Sequence, residues 1–307
     1  MKKRENIRKG ILFMDYIPAK TIVTRTKDRW WFGTIYGMNM YRGCNFGCIY
    51  CDSRSDCYGV ENFGHVRAKA DALRIMRDDL RSLGRKGVIH TGAMSDPYTP
   101  VEKKLKLLGH GLELINAFGF GVAVVTKSTL VTRDIGVLQD ISKHAPVMVG
   151  ITITTADDKL AKIIEPGAPS TTKRFEALKE LSAAGIFCCV VMMPLLPFIN
   201  DTPENVTRLV TQAHQAGAKF VFGRMGLTLR DGQRNFFYNQ LQKHFPMLKE
   251  KYQATYGSKY QANSPQYRKL YAILKKSCQP LGLLHTMEDI TITYQKNGFS
   301  NEQLTLF

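Results

Sequence analysis

Short apolar, β-branched runs alternate with longer amphipathic stretches along most of this chain. Residues 33–41, 87–91, 121–126, 147–154, 186–193 and 219–225 are hydrophobic at consecutive positions, the pattern of strands covered on both faces. Between them, residues 66–83, 103–118, 132–143, 171–184 and 203–216 carry apolar side chains at helical spacing. Glycines close several of these stretches, at Gly84, Gly119, Gly185 and Gly217, and Asp201-Thr202-Pro203-Glu204 opens the last with a capping residue and an early proline. Strand and helix in regular alternation predict parallel β/α units with right-handed crossovers. Six units fall short of the eight of a closed barrel, so the expected fold is α/β, a partial (β/α)6 TIM-like barrel over residues 34–225. Residues 1–33 read as a basic N-terminal lead, and 226–307 as a C-terminal helical cap or substrate-facing extension. In that extension 234–251 and 265–276 read as helical, 290–294 as a short β-like run, and the last dozen residues as a tail.

Composition narrows the class. A 307-residue chain with 44% hydrophobic residues can bury a full core. No apolar run reaches membrane-spanning length, and Met1-Lys2-Lys3-Arg4-Glu5-Asn6 lacks a secretory apolar segment. With seven cysteines, an odd number, the reading is a reducing cytoplasm rather than a disulfide framework. The formal charge of +17 makes nucleic acid the first partner to consider. The lead contributes Lys2, Lys3, Arg4, Arg8, Lys9 and Lys20, then Arg25, Lys27 and Arg29 beside the pair Trp30-Trp31. Such a pair reads first as packing surface and second as a surface on which bases stack.

The chemistry concentrates in Tyr41-Arg42-Gly43-Cys44-Asn45-Phe46-Gly47-Cys48-Ile49-Tyr50-Cys51, which follows the first strand-like run. Thiolates at i, i+4 and i+7 suit an Fe–S cluster or zinc. A closed site of either kind needs four protein ligands, and no second pair stands at a matching spacing. Cys57 is a spare thiol whose spacing does not demand a ligand role. Three ligands leave one metal corner open for chemistry; a non-catalytic Fe–S or zinc protein stays open as an alternative.

This spacing resembles the C-x3-C-x-aromatic-C signature of the radical S-adenosylmethionine (SAM) enzymes, with Tyr50 in the aromatic slot. The resemblance implies that Cys44, Cys48 and Cys51 hold three irons of a [4Fe–4S] cluster and that SAM chelates the fourth. It also implies that one electron cleaves the sulfonium to a 5′-deoxyadenosyl radical, that Tyr50 lies against the adenine, and that a flavodoxin or ferredoxin supplies the electron.

Ligands of β/α folds sit at the C-terminal ends of strands, which makes residues there candidates. They are Ser95, Asp96 and Tyr98 after the second strand, Lys127 in Thr126-Lys127-Ser128, Thr152 and Thr154, Glu165 with Arg174, and the apolar Met192-Met193-Pro194 turn. Glu165 and Arg174 can serve a ligand or pair with each other. The segments S-D-P-Y-x-P-x-E, T-K-S and E-P-G-x-P-S look like the spore photoproduct lyase branch, also called DNA-repair photolyase-like, over residues 34–225. That likeness implies that Ser95, Lys127 and Thr152 touch the methionine part of SAM, with Asp96 beside them, and that Glu165 and Arg174 help to hold the cofactor. It also implies a lyase acting on nucleic acid; a radical reaction on a small molecule or protein side chain is the alternative. One departure stands out. The lyases carry a hydrogen-donating cysteine just before the Ser-Asp, where this chain reads Gly92-Ala93-Met94. Cys57 is the weak substitute.

Overall fold

A computed structural model describes residues 14–296; the expected extreme N-terminal lysines and the C-terminal tail lie outside the described residues. Its core is a seven-stranded sheet. The strands, in chain order, are β1 Val23–Arg25, β2 Tyr36–Met38, β3 Val88–Thr91, β4 Gly121–Thr126, β5 Val147–Thr152, β6 Cys188–Met192 and β7 Phe220–Gly223. Only β1 runs antiparallel, against β2; β2 to β7 are joined by parallel ladders in unbroken chain order. A sheet that advances one strand at a time, with no reversal of order, is wound in one direction, as in a TIM-like barrel. The six parallel strands match the six expected units.

Helices cover the outer face: α1 Ala72–Ser82, α2 Leu107–Ala117, α3 Ile135–Ser142, α4 Asp158–Ile164, α5 Thr171–Ala183 and α6 Pro203–Gln215. The caps written in the sequence start them. Thr202 accepts from Asn205 N–H ahead of Pro203, Ser170 from Lys173 N–H, and Asp157 from the first turn of α4. Ala72, Met76 and Leu80 are buried at four-residue intervals on α1, while Arg74, Arg77 and Asp78 are exposed and Asp79 accepts from Ile22 N–H and Val23 N–H.

The chain after β7, expected as a cap or substrate-facing extension, packs onto the cysteine loop. Helices α7 Gln233–His244 and α8 Pro246–Tyr256 pack Phe237, Leu241 and Tyr252 against Phe46, Ile49 and Tyr50 of the cysteine loop. Two short strands, β8 Gly226–Thr228 and β9 Gln261–Asn263, pair antiparallel above them. After α9 Tyr267–Cys278, the run expected as β-like at 290–294 is instead part of helix α10 Met287–Gln295. Thr286 caps it, and Met287, Ile290 and Tyr294 pack onto Phe32 and the starts of the strands. The stretch 66–83 is likewise divided: Arg67–Lys69 pairs with Tyr16–Ile17 and Tyr41–Arg42 before α1 begins.

Candidate active site

The cysteine loop leaves Tyr41–Arg42 at the C-terminal end of the sheet. Its shape is imposed by close backbone approaches. Gly43 has φ of +84°, and a Cβ there would lie 2.6 Å from the His65 carbonyl oxygen, so only glycine fits. Gly167 presses against the loop from the other side, where a Cβ would meet Asn45 O at 2.7 Å and Phe46 O at 2.9 Å. Backbone bonds lock the two segments together, from Ile49 N–H to Ile164 O at 3.0 Å and from Gly167 N–H to Phe46 O at 2.8 Å. The motif glutamate Glu102 ties the same loop to the helices. Fully buried, it accepts from Tyr41 O–H, Leu108 N–H and Arg133, the last at 2.7 Å.

Cys44, Cys48 and Cys51 all line one cavity of about 510 Å³, within the size range of ligand pockets. Burial pushes the Cys44 thiol up to about 11 and raises Cys48 and Cys51 as well. Buried thiols therefore keep their protons until a metal displaces them. Among the described residues no three Cys, His, Asp or Glu side chains close on one point as the ligands of a single ion would. A [4Fe–4S] cubane takes one thiolate per iron, so it needs thiols spread around a wall rather than converging.

Tyr50, Ser95, Asp96, Lys127 and Thr152 line the same cavity. Lys127 enters from the end of β4, its Nζ 5.5 Å from the centre of the Tyr50 ring. Burial pulls its pKa down, but Cys48 (once ionised), Glu165 and Asp96 outweigh burial and raise it above its ordinary value. Among the described residues it makes no ion pair, so a charged donor faces the cavity. Asp96 aims that lysine. Its Oδ2 accepts Lys127 N–H at 2.8 Å, and its Oδ1 accepts Thr126 O–H at 2.6 Å and Tyr98 N–H at 2.9 Å. Ser95 Oγ donates to Gly43 O at 2.6 Å, which fastens the β3 turn to the cysteine loop. Three soft thiols and an unpaired ammonium in one chamber fit a thiophilic cluster that carries an anionic amino-acid group.

Three of the expected site residues are not among those lining the cavity. Glu165 and Arg174 form an ion pair with each other, one of their two expected arrangements. Arg174 Nη2 approaches Glu165 Oε2 at 2.6 Å, both side chains being essentially unexposed. Arg174 also donates to Pro169 O at 2.9 Å and Thr152 O at 2.8 Å, while Glu165 Oε1 accepts from Tyr50 O–H and Thr154 O–H. The pair stands behind Tyr50 and sets its ring. Cys57 is not brought to the cavity either. Two 3-10 turns, Asp52–Arg54 and Asp56–Tyr58, carry it outward, and it is exposed beside Arg230 at 3.6 Å.

Trp30, Trp31, Arg224, Arg230 and Tyr260, brought from both ends of the chain, line the mouth. The tryptophan pair stood out in the sequence, with stacking as its second reading; Arg224, Arg230 and Tyr260 did not. Arg230 bonds Asp52 at 3.1 Å and Tyr260 O–H at 2.7 Å, which couples the extension to the residue after Cys51. Met193 and Pro194 also line the cavity.

Comparisons with known proteins agree with this architecture. The family model described as the radical SAM superfamily matches residues 38–221. An uncharacterised protein of Methanocaldococcus jannaschii is 34% identical over 185 residues, which cover 60% of this chain and 68% of that protein. One of Mycobacterium tuberculosis is 29% identical over 228 residues, covering 72% and 67%. Among solved structures, spore photoproduct lyase complexed with dinucleoside spore photoproduct superposes with a TM-score of 0.64 at 13% identity, over 88% of this chain and 81% of that one. The radical SAM methyltransferase TsrM of Kitasatospora setae, with tryptophan substrate and a SAM analogue bound, gives 0.51 at 14% identity, over 78% and 51%. Among the described residues no helix is long and apolar enough to cross a membrane. With the family model spanning more than half its length, the chain belongs to the radical SAM superfamily, a class of enzymes whose cofactors are a [4Fe–4S] cluster and SAM.

Proposed function

We propose that this enzyme reductively cleaves SAM at a cluster held by Cys44, Cys48 and Cys51, and directs the resulting radical to a nucleic acid, the substrate class of the spore photoproduct lyase branch it resembles. The observation that carries the reading is the single cavity shared by the three thiols, Lys127 and an aromatic, basic mouth. Cys44, Cys48 and Cys51 would hold the cluster, whose chemistry when bound and reduced would be one-electron cleavage of the sulfonium to methionine and a 5′-deoxyadenosyl radical. The chain's own residues do the rest. Lys127 pairs with the methionyl carboxylate, aimed by Asp96. Tyr50, held from behind by Glu165 and Arg174, offers its ring to the adenine. Thr152 and Ser95 border the methionyl part, and Met193 and Pro194 keep water from the part of the wall they form. The electron comes from an external carrier such as a flavodoxin or ferredoxin.

Nucleic acid is favoured by the +17 charge and by the arginines at the mouth. The fold shared with spore photoproduct lyase supports it too. The turn Gly92-Ala93-Met94 holds no thiol, and Cys57, exposed beside Arg230, is not among the residues lining the cavity, so no cysteine stands where the lyase carries its hydrogen donor. The proposal is therefore of radical chemistry on a nucleotide, without the lyase's own repair step. Anaerobically reconstituted protein, incubated with SAM, reductant and single-stranded DNA or RNA, tests it. Modified nucleotide together with 5′-deoxyadenosine is expected; 5′-deoxyadenosine formed with no effect of nucleic acid on rate or product would turn the reading to a small molecule or a protein side chain.

A further inference from the structure

Trp30 and Trp31 are the only two tryptophans of the chain, and both sit at the mouth of the cavity that holds the thiols. Trp30 is 57% exposed, so the pair is not simply packing. Its rigidity comes from beneath: Phe222, at the end of β7, meets the two rings edge-on at 5.8 and 5.9 Å, and the rings stand 6.0 Å apart. The backbone is pinned as well, by Trp30 N–H to Asp28 Oδ1 at 2.8 Å and by Thr34 O–H to Trp31 O at 2.8 Å. An aromatic surface propped and fixed in the absence of a ligand loses little freedom on binding a flat partner. Cations accompany it. Lys27 and Arg29, both exposed, precede Trp30 in sequence, and Arg224 lines the same cavity as the two rings.

We propose that Trp30 and Trp31 form a stacking platform for a nucleobase of a single-stranded or extruded nucleotide, with Lys27, Arg29 and Arg224 meeting the adjoining phosphates. Aromatic rings interleaved with cations are how sequence-tolerant single-strand binders hold bases, and chemistry on a base requires it to leave the duplex stack. The platform and the thiols share one chamber, so a base held on Trp30 stands at the opening toward the radical source. This inference rests on the nucleic-acid reading above and assigns that reading a specific surface.

Because the fluorophores are confined to the platform, the enzyme reports on itself. Reconstituted protein is first saturated with SAM, then titrated with oligothymidylate. Tryptophan emission is followed alongside polarisation of a labelled strand. Quenching that tracks the polarisation curve is expected. Trp30→Ala should weaken binding about five- to a hundredfold, the range for one stacked base, and Trp30→Phe should restore most of it. Binding by polarisation with emission unmoved, and a Trp30→Ala variant that binds like the parent, would overturn the platform while leaving nucleic acid as substrate. Quenching by SAM alone with none added by the strand would assign the rings to the cofactor and overturn it too. Absence of binding by either readout would instead remove the nucleic-acid reading, and the platform with it.

Discussion

Lys127, the buried ammonium of the cavity, gives the most direct residue-scale test of the proposed cofactor pocket. A charge-assisted hydrogen bond to a partly buried carboxylate contributes roughly 1.5–3 kcal/mol, so Lys127→Ala should weaken SAM binding about ten- to a hundredfold while iron and sulfide content stay at the parent level. Calorimetric titration of SAM into the reconstituted variant checks this, and unchanged affinity would return the lysine to a merely electrostatic role. The pair behind it makes the opposite prediction. Arg174 and Glu165 are 1% and 0% exposed, and removing one partner of a buried pair costs about 3–5 kcal/mol because the other charge is left uncompensated. Arg174→Ala should thus lose stability in denaturant titration, with SAM affinity falling only as far as Tyr50 loosens; a stable variant with lost affinity would put Arg174 on the cofactor. Lys127 was legible in the sequence because it ends a strand. The Glu165–Arg174 pair was legible only as an ambiguity, since nine positions of separation say nothing about whether a ligand stands between two charges. Asp96, expected beside the cofactor, lines the cavity and accepts three hydrogen bonds from backbone and hydroxyl donors, fewer than the roughly four a carboxylate can take.

At the scale of elements, the cysteine loop depends on the segment that follows α4. Gly167→Ala would force a methyl to 2.7 Å from Asn45 O, well inside contact distance, and the loop must move to admit it. The expected outcome is a cluster lost to a chelator several times faster than from the parent, followed by the decay of its visible absorption; an equal rate would show that the loop holds its shape without this contact. The six strands of the barrel were readable because consecutive apolar, β-branched residues have few other destinations in a parallel sheet. Two stretches misled for physical reasons. Ile290, Thr291, Ile292 and Thr293 carry strand-like side chains, but the Thr286 cap and the packing of Met287, Ile290 and Tyr294 on Phe32 win over local propensity. Arg67–Lys69 becomes a strand only because Tyr16–Ile17 and Tyr41–Arg42 lie either side of it, partners at a distance that periodicity cannot see.

The whole molecule gathers its mouth from segments two hundred residues apart: the tryptophans precede the barrel, Arg224 ends it, and Arg230 with Tyr260 follows. No local pattern brings them together, which is why the sequence revealed the cluster loop and not the rim. If the excess of basic residues serves a polyanion, affinity for single-stranded DNA or RNA should fall linearly in log–log salt titration, with a slope of about −0.7 for each phosphate contacted. Negligible affinity at low salt would leave a small molecule or peptide as substrate. The claim beneath all of these is that three thiols and SAM make a radical source here, and one measurement addresses it most directly. Anaerobically reconstituted enzyme and its Cys44→Ala/Cys48→Ala/Cys51→Ala variant are each given SAM and a strong reductant, and iron and 5′-deoxyadenosine are quantified together. The parent should hold about four iron per chain and release 5′-deoxyadenosine, and the variant should do neither. Full cluster loading in the variant, or a loaded parent that leaves SAM intact, would contradict the account.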